Sequence, residues 1–591
     1  MESLYKKHLK QHAIKKIKSK NIMELKDSIG IQIRDNIRVV CILDEFSYEC
    51  FKYEANFIQL GINNWKQLII DTVPHFLFVE AAWEGYNKEW IGKVANLHLY
   101  KDNTILSIIR YCNENNIPTV FWAKEDPCDF NIFIEAAKNF DYIFTTDLDS
   151  VPEYKKIVNH DNIFVLPFAA QPYLHNPIDK DKYKRGKVAF AGGWYNKFPN
   201  RCKDIENMLK PAFKYSLAIY DRFNNLNNKK NLFPPEYNPY IKDSLSYKDI
   251  IKEYKKYEVF LNVNSVNVSP TMFSRRIFEL LASGIPVISS YSKGIENYFK
   301  DIVLLSNNQN DTDLLLYRLL KDREKRDRLS VLGQREIFNH HTYTHRFNTI
   351  LDKLGIKKTI FEKKGISVIT CTNRPYSLEN ILANYVSQLY PLKELIIIIN
   401  NDFIDPRSWE DMVNKHEDIK IYKLPQKESL GKCLNYAIEK SKYPYISKFD
   451  DDDYYAPNYL IDSVNAFKYT DADVVGKSSF YAYLEKSQSL VLRNPGQEYQ
   501  YSKYLSGSTL TMKKDIFSNV KFRDISAGED IKFLTDCLAL GIKVYSTDRF
   551  NHVVLRRIDT NTHTWKISEN AFLKDCITIK HTKKFKDIVT L

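Results

Sequence analysis

The stretch that decides the fold is Tyr443-Pro-Tyr-Ile-Ser-Lys-Phe-Asp-Asp-Asp-Asp453. Its apolar part predicts a buried strand, and that strand ends in four consecutive carboxylates. Like charges a few ångströms apart repel, so this crowding is costly unless a cation offsets it. A divalent ion bound by oxygens, with positions left open for substrate phosphates, suits the cluster. The run therefore predicts a metal-assisted enzyme that acts on a phosphorylated substrate.

Two neighbouring apolar runs predict further strands with polar residues at their ends. One spans Ile366-Ser-Val-Ile-Thr-Cys-Thr372, and the other spans Glu394-Leu-Ile-Ile-Ile-Ile-Asn400. In an open α/β sheet, ligands gather outside the carboxyl ends of the strands. We therefore expect the polar strand ends to share one crevice with the aspartates and to bind the substrate: Thr372, Asn373, Arg374, Asn400 and Asp451.

Two more motifs flank this predicted crevice. The loop Glu428-Ser-Leu-Gly-Lys-Cys-Leu-Asn435 contains Gly431, which permits close approach, and Lys432, which could meet a phosphate. Downstream, Gly528-Glu529-Asp530 marks a predicted helix start. A carboxylate separate from the metal ligands can act as a general base, although one at a helix start can also simply complement the helix dipole.

Residues 365–560 resemble the family 2 glycosyltransferases of the GT-A fold, through Thr-Asn-Arg-Pro, Ser-Leu-Gly-Lys-x-x-Asn, the aspartate run and Gly-Glu-Asp. The resemblance implies a nucleotide-sugar donor, Mn²⁺ or Mg²⁺, and inversion of the sugar. It implies that Asp450 and Asp452 are metal ligands, with Asp453 supporting them. It also implies a base in the Glu-Asp motif, which we take as Asp530 with Glu529 beside it. His552 is a candidate further metal ligand; a structural hydrogen-bonding role is the alternative.

Short apolar runs also alternate with helical patterns in the first half, which predicts two paired Rossmann-like domains with a cleft between them. The first block of predicted strands contains Val39-Val-Cys-Ile-Leu43, His75-Phe-Leu-Phe-Val79, Thr119-Val-Phe-Trp122 and Tyr142-Ile-Phe144. The second block contains Lys187-Val-Ala-Phe-Ala-Gly-Gly193, Tyr215-Ser-Leu-Ala-Ile219, Val259-Phe-Leu-Asn-Val263, Ile285-Pro-Val-Ile-Ser289 and Ile302-Val-Leu-Leu-Ser306.

Residues 37–350 resemble the GT-B glycosyltransferases related to bacterial spore-maturation proteins, most specifically through Ser269-Pro-Thr-Met-Phe-Ser-Arg-Arg-Ile-Phe-Glu-Leu-Leu-Ala-Ser-Gly-Ile-Pro-Val-Ile288. Two arginines at a helix start favour diphosphate binding, and a glycine pair after a strand lets backbone amides approach phosphates. The resemblance places Glu279 at the ribose of the donor. The sequence departs from the Glu-x₇-Glu pattern of many GT-B enzymes, because Thr271 stands where the first glutamate would be. The predicted nucleotide-sugar residues are Gly192, Gly193, Arg275, Arg276 and Glu279.

The catalytic carboxylate of this half should come from the first Rossmann-like domain, across the cleft. We select Glu125, while Asp126, Asp44 and Glu45 remain alternatives. The predicted fold class is α/β, with an N-terminal GT-B fold followed by a C-terminal GT-A domain. The predicted division of the chain is a basic helical segment 1–36, Rossmann-like units 37–185 and 186–354, a linker 355–365, the GT-A domain 366–566 and a tail 567–591.

Bulk composition excludes some classes of function. The formal charge is +13, but 86 basic residues are interspersed with 73 acidic ones, which argues against a nucleic-acid surface. Nine scattered cysteines without a C-x-x-C pair are typical of reduced thiols in a cytoplasmic protein. The first 36 residues are rich in lysine with interleaved leucine and isoleucine. They predict either an amphipathic helix, in peripheral contact with the inner face of a membrane, or a solvated helix packed on its own domain.

The sequence therefore favours a bifunctional glycosyltransferase that builds a surface or cell-wall glycan. Its predicted partners are nucleotide-sugar donors and a glycan or lipid-linked acceptor. One alternative keeps a single GT-A active site, with a GT-B-like half that binds the acceptor or serves as a scaffold. Another alternative is a metal-dependent nucleotidyltransferase that uses the same aspartates.

Overall fold

A computed structural model of the chain describes residues 34–97, 99, 103–182, 186–224, 231–356, 364–559 and 567–591. The chain separates into two compact units, Met1–Ile360 and Phe361–Leu591. Nearly all of the predicted basic segment and most of the predicted linker lie outside the described residues. Within the described part of the chain, no helix is long and apolar enough to cross a membrane.

The first half of unit 1 is a six-stranded parallel sheet in the order β2-β1-β3-β4-β5-β6, with helices between the strands. Its strands are β1 (Arg34–Ile42), β2 (Ala55–Gln59), β3 (Phe76–Glu80), β4 (Thr119–Ala123), β5 (Tyr142–Thr145) and β6 (Ile163–Val165). Its helices are α1 (Glu45–Phe51), α2 (Trp65–Thr72), α3 (Thr104–Glu114), α4 (Phe130–Ala137) and α5 (Val151–Ile157).

The second half of unit 1 is another six-stranded parallel sheet, in the doubly wound order β12-β11-β10-β7-β8-β9. Its strands are β7 (Gly186–Gly192), β8 (Leu217–Asp221), β9 (Ile241–Lys242), β10 (Tyr257–Asn262), β11 (Val287–Ser290) and β12 (Leu304–Ser306). Its helices are α6 (Pro199–Leu209), α7 (Tyr247–Tyr254), α8 (Arg276–Ala282), α9 (Lys293–Phe299), α10 (Gln309–Lys321), α11 (Arg323–His340) and α12 (Tyr343–Lys353).

Helix α12 returns to the first sheet of the unit. The buried Arg346 donates to the backbone carbonyls of Pro167 and Phe168, both at 2.9 Å. A backbone bridge joins Ala170 to Thr342 at the start of the helix. The two Rossmann-like halves are therefore fastened together at the end of the unit.

Unit 2 begins with an eight-stranded mixed sheet in the order β15-β14-β13-β16-β22-β18-β23-β21. Its strands are β13 (Ile366–Thr372), β14 (Lys393–Ile399), β15 (Ile419–Lys423), β16 (Tyr445–Lys448), β18 (Val474–Gly476), β21 (Gln500–Tyr501), β22 (Thr511–Lys513) and β23 (Val544–Ser546). Its helices are α13 (Leu378–Val386), α14 (Pro406–Val413), α15 (Leu430–Lys440), α16 (Tyr459–Tyr469) and α17 (Glu529–Ala539).

A five-stranded sheet completes unit 2, in the order β17-β24-β19-β20-β25. Its strands are β17 (Tyr454–Tyr455), β19 (Phe480–Leu484), β20 (Ser489–Arg493), β24 (His552–Arg556) and β25 (Cys576–His581). The short helices α18 (Glu569–Leu573) and α19 (Lys586–Val589) flank the last strand. The predicted tail is thus folded, because β25 pairs with β20 along its length.

Strands β13, β14, β15 and β16 are parallel neighbours, so their carboxyl ends meet at one edge of the sheet. Strand β13 is buried at six of its seven positions, and β14 is equally apolar, which is typical of a parallel sheet covered on both faces. The aspartate run follows β16 at this edge.

Helix α15 approaches the loop before α17 closely, and this contact requires glycine. A Cβ atom at Gly431 would lie 1.8 Å from the backbone carbonyl oxygen of Arg523. We expect Gly431→Ala to lower the free energy of unfolding of unit 2 by about 3 kcal/mol, because backbone must move. Urea unfolding checks this, with the exposed Glu439→Ala on the same helix as a control that changes stability by less than about 0.5 kcal/mol. Equal stability of Gly431→Ala and wild type would contradict the tight contact.

Candidate functional site

The edge formed by β13, β14 and β16 opens into a cavity of about 630 Å³ in unit 2. This volume lies within the range of small-molecule sites. Ten of the residues that the sequence predicts for this half line the cavity: Thr372, Asn373, Arg374, Asn400, Asp450, Asp451, Asp452, Asp453, Glu529 and Asp530. Residues separated by up to about 160 positions in sequence are therefore brought to one crevice, as the parallel-strand argument requires.

Arg374 partly offsets the charge of the aspartate run. Its guanidinium pairs with Asp451 and lies 2.9 Å from Asp452 Oδ2, while the Thr372 hydroxyl donates to Asp451. Burial, with repulsion from the neighbouring carboxylates, raises the pKa of Asp451 to about 6 and the pKa of Asp452 to about 6. One arginine therefore does not remove the repulsion that the sequence implies.

Asp453 lies at the back of the cavity against His552. Burial raises the pKa of Asp453 to about 7, and its Oδ1 accepts a hydrogen bond from the Leu555 amide at 3.1 Å. His552 is fully buried, with Nε2 at 3.4 Å from Asp453 and 3.2 Å from the Ser508 hydroxyl. Burial lowers the pKa of His552 to about 3, so the ring is neutral. His552 does not line the cavity; it supports Asp453 from behind.

Lys448, the last residue of β16, is a site residue that the sequence argument missed. Its Nζ lies 2.6 Å from Asp450 Oδ1 and 3.2 Å from the Gly507 carbonyl oxygen. Burial disfavours its charge, but Asp450, Glu529 and Asp530 more than compensate and raise the pKa of Lys448. In the sequence, Lys448 is a single lysine within the apolar run Tyr443–Phe449, and the pattern of that run predicts only a buried strand.

Glu529 and Asp530 begin α17 and line the same cavity. Glu529 is 5% exposed, and burial raises its pKa. Asp530 is more open, and its Oδ1 accepts from the Ile531 amide at 2.7 Å. A Cβ atom at Gly507 would lie 1.7 Å from Asp530 Oδ2, so glycine at position 507 leaves the space that this carboxylate occupies.

The structure does not bring Lys432 into the cavity. Its Nζ pairs with Glu428 on the surface of α15, and Leu430 and Leu434 of the same helix line the cavity instead. The cavity also has aromatic and basic lining residues. These, with one asparagine, are Phe480, Arg493, Asn494, Tyr504, Arg556 and Phe572.

The carboxylates of the aspartate run suit a metal ion only if a bound substrate supplies further oxygen ligands. Among the described residues, no group of three or more His, Cys, Asp or Glu side chains is arranged to hold a metal. Mg²⁺ and similar ions are, however, commonly bound by one or two carboxylates together with substrate phosphates. The hard oxygen donors of Asp450 and Asp452 fit that kind of site.

In unit 1, Glu279 is the residue predicted to bind the ribose of the donor, and its carboxylate already has partners within the protein. Its carboxylate pairs with Arg275 and accepts from the Tyr254 hydroxyl at 2.8 Å and the Tyr247 hydroxyl at 3.2 Å. Arg275 also lies 4.2 Å from the centre of the Phe46 ring. Arg275 and Glu279 thus hold each other within the packed interior of the unit.

His175 lies under this cluster and makes the stability of unit 1 depend on pH. It is fully buried, and burial lowers its pKa from 6.5 to about 4, so the folded state holds a neutral ring. Between these values the unfolded state takes up a proton that the folded state does not. We therefore expect His175 by itself to contribute a fall of roughly 2 kcal/mol in the free energy of unfolding from pH 7 to pH 5; buried carboxyls with raised pKa values, such as Glu80, act in the opposite direction.

Urea unfolding of the wild type and of His175→Gln protein at both pH values measures this contribution as the difference between the two profiles. From pH 7 to pH 5, His175→Gln protein should lose roughly 2 kcal/mol less stability than the wild type, whereas the exposed His340→Gln should follow the wild type. An unchanged pH dependence in folded His175→Gln protein would show that another group is responsible.

Thr271, where the sequence departs from the Glu-x₇-Glu pattern, joins the two halves of unit 1. Its hydroxyl donates to the Thr146 carbonyl oxygen at 2.8 Å and accepts from the Leu148 amide at 2.9 Å. The neighbouring Ser269 hydroxyl donates to Asp147. Thr271, which stands where the first glutamate of the pattern would be, therefore links the two halves of unit 1.

The acidic candidates of the first Rossmann-like domain surround a buried lysine. Lys124 Nζ lies 2.6 Å from Asp44, 2.9 Å from Glu80 and 4.0 Å from Glu125. Burial raises the pKa of Glu80, which the sequence argument did not select, to about 7. Asp126 is held by the hydroxyls of Thr145 at 2.7 Å and Tyr154 at 3.0 Å. Glu125 is half-buried and keeps its place as the candidate beside the cleft.

Comparison with known proteins identifies both parts of the chain. Residues 206–352 match the family described as "Glycosyl transferase-like", and residues 367–522 match "Glycosyl transferase family 2". The two predicted resemblances and the predicted α/β fold class, GT-B-like and then GT-A-like, are confirmed. The chain therefore carries two glycosyltransferase domains. No curated protein matches it.

Matches among solved structures include two complexes with nucleotide sugars. One is TarS 1-349 of S. aureus with UDP-GlcNAc, at 16% identity and TM-score 0.28, covering 33% of this chain and 59% of that chain. The other is the mannosyltransferase PcManGT from Pyrobaculum calidifontis with GDP-Man and Mn²⁺, at 14% identity and TM-score 0.27. That match covers 37% of this chain and 65% of that chain. The chain thus spans less than two thirds of either structure.

Proposed function

We propose that unit 2 is a metal-dependent glycosyltransferase that moves a sugar from a nucleotide-sugar donor to a hydroxyl of a glycan or lipid-linked acceptor. The observation that carries the proposal is one cavity that is lined by both the aspartate run and the Glu529–Asp530 pair. Glycosyl transfer needs both functions at once, because charge leaves with the nucleoside diphosphate while a proton leaves the acceptor.

Asp450 and Asp452 would hold Mn²⁺ or Mg²⁺ together with donor phosphates. Bound there, the ion would supply positive charge for the leaving diphosphate. Asp453, fixed by His552 and the Leu555 amide, supports the two ligands from behind. The cavity is also lined by Thr372, Asn373 and Asn400, whose hydroxyl and amide groups would form hydrogen bonds with the nucleotide. Asp451 and Arg374 line the same cavity and are further proposed nucleotide-binding residues.

Asp530 is the proposed general base. It is more open to the cavity than Glu529, and the cation Lys448 lines the same cavity. Deprotonation of the acceptor on the side opposite the leaving group gives direct displacement and therefore inversion of the sugar. The aromatic and basic lining of the cavity, with Phe480, Tyr504 and Phe572, suits the acceptor.

Product analysis tests this proposal. The full chain is incubated with Mn²⁺ and a panel of nucleotide sugars and, separately, nucleoside triphosphates. Release of nucleoside diphosphate and sugar from a nucleotide sugar supports glycosyl transfer. Release of pyrophosphate from a triphosphate, with every nucleotide sugar left intact, would instead support a nucleotidyltransferase and overturn the proposal.

A second candidate function is that unit 1 is also a transferase, which makes the chain bifunctional for the synthesis of a surface or cell-wall glycan. It is supported by Glu125 at the cleft and by the predicted Gly192–Gly193 turn at the end of β7. The paired Arg275–Glu279 and the bridging Thr271 favour the opposite case, an acceptor-binding or scaffolding half. Transfer that survives in Asp452→Ala protein, with any donor, would support two active sites; complete loss would support one.

A further inference from the structure

Two arginines of the five-stranded sheet of unit 2 lie on the same face of that sheet. Arg493 ends β20 and Arg556 ends β24, and both strands pair with β19 between them. In the register, Arg493 lies opposite Phe480. Arg556 lies opposite Leu484, an even number of positions along the same strand. Because side chains alternate between the two faces of a strand, both arginines belong to one face.

The buried ring of Phe572, in α18, brings the two guanidinium groups together. The guanidinium of Arg493 lies 4.5 Å from the centre of this ring, and that of Arg556 lies 5.4 Å from it. Backbone carbonyls fix both side chains, since Arg493 Nη1 donates to the Phe572 oxygen at 2.7 Å and Arg556 Nη2 donates to the Ile567 oxygen at 3.0 Å. The segment that the sequence predicts as a tail therefore positions two cations.

Both arginines line the cavity of the candidate site, where they differ from its other cations. Arg374 and Lys448 belong to the mixed sheet and its loops, and each contacts the aspartate run. Arg493 instead pairs with Asp575 at 3.1 Å, and that carboxylate is 60% exposed. An ion pair open to water offsets little of the charge of its arginine. Arg493 and Arg556 thus bring positive charge to the part of the cavity that the second sheet forms.

We propose that Arg493 and Arg556 bind a phosphate or carboxylate group of the acceptor, so that unit 2 transfers its sugar to a hydroxyl of an anionic acceptor. The planar guanidinium fork matches the oxygens of either group and gives two parallel hydrogen bonds. Phe480 and Tyr504 line the same cavity and offer apolar faces to a sugar ring. This inference rests on the transfer proposed for unit 2, because that reaction defines the acceptor.

The donor phosphates are the competing partner for these cations. Arg556 follows Leu555, whose amide binds Asp453, so this arginine lies next to the aspartate run. Arg493 belongs to a strand that β19 separates from β24, and its fixed contacts are with α18 and Asp575. Its place in the second sheet, away from the carboxyl ends of β13 and β14, favours the acceptor.

Binding measurements on the full chain test the proposal without any turnover. Saturation-transfer NMR in EDTA compares two charged probes, glycerol phosphate and methyl glucuronide, with their neutral counterparts glycerol and methyl glucoside. We expect at least one charged probe to bind more tightly than its counterpart, and Arg493→Gln and Arg556→Gln each to weaken that binding at least 10-fold. The exposed Arg407→Gln on α14 is the matched control and should bind as wild type does.

The pattern among the probes identifies the anionic group. Preference for glycerol phosphate indicates a phosphorylated acceptor, and preference for methyl glucuronide indicates a uronic acid; both outcomes support the proposal. Charged probes that bind no better than neutral ones, or that bind folded Arg493→Gln and Arg556→Gln proteins as they bind wild type, would overturn it. Urea unfolding checks the folding of both variants, and the half-buried Arg556 keeps the test decisive if Arg493→Gln does not fold.

Calorimetry with UDP and GDP in Mg²⁺ separates acceptor from donor. We expect both variants to bind these nucleotides within a few-fold of wild type. A loss of nucleotide affinity as large as the loss for the charged probes would assign the arginines to the donor and overturn the proposal. Failure of the chain to turn over any nucleotide sugar is a different result: it would remove the transfer reaction, and with it the acceptor, while the anion binding is still read directly.

Discussion

Asp452→Asn is expected to reduce turnover of the nucleotide-sugar donor by about 100-fold or more. A bound divalent ion contributes several kcal/mol of charge stabilisation in the transition state, and each 1.4 kcal/mol is a factor of about 10 in rate. The amide keeps the shape of the carboxylate but removes its charge. Steady-state release of nucleoside diphosphate, measured at several Mn²⁺ concentrations, reports the loss.

The fold should survive this substitution. Asp452 is one of four crowded carboxylates, and Arg374 still pairs with Asp451 after the change. Removing one negative charge relieves repulsion, so thermal stability is expected to be equal or slightly higher. The exposed Asp411→Asn on α14 is the matched control and should retain full turnover. Normal turnover in Asp452→Asn protein at low Mn²⁺ would contradict the metal role of this carboxylate.

Asp530→Asn is expected to lower kcat for transfer by about 100- to 10,000-fold while leaving donor affinity within a few-fold of wild type. General base catalysis contributes a factor of this size, and Asp530 lines the same cavity as the aspartate run. Gly507→Ala should produce a similar loss without changing a charge, because the added methyl group would displace the Asp530 carboxylate. Transfer kinetics and equilibrium donor binding separate the two quantities.

Glu529→Gln is the control for this assignment. Glu529 is buried beside Asp530 and near Lys448, so its replacement should disturb packing and charge but keep the base. We expect a kcat within about 10-fold of wild type, a smaller loss than removal of a general base gives. A larger loss in Glu529→Gln than in Asp530→Asn would transfer the role of base to Glu529.

The carboxyl-end residues of unit 2 could be predicted because parallel strands are local patterns with a known spatial consequence. The run Ile366–Thr372 coincides with β13, and the polar residues after β13, β14 and β16 meet in one cavity. The strand pattern in turn predicted the two Rossmann-like sheets of unit 1. The short edge strands β2, β6 and β15 were missed, because β2 and β15 are only partly apolar and β6 has only three residues.

Side-chain partners could not be read from the sequence. Lys432 lies on a suitable loop, but Glu428 one turn away holds it at the surface. Arg275 has its partners far along the chain in Phe46 and Tyr247. Lys448 and His552 acquire their roles from burial and from contacts more than 40 residues distant, such as Gly507 and Ser508. The outcomes for Lys448 and His552 depend on tertiary packing, whereas Lys432 and Arg275 each also pair with a glutamate four residues away.

The most direct test of the central claim is metal dependence of donor turnover by the wild-type chain. Nucleoside diphosphate release is measured with Mn²⁺, after EDTA, and after Mn²⁺ is restored, in parallel with Asp452→Asn protein. We expect turnover to disappear in EDTA, to return with Mn²⁺, and to stay low in the variant throughout. Turnover that is unaffected by EDTA in both proteins would contradict a metal-dependent transferase site at Asp450 and Asp452.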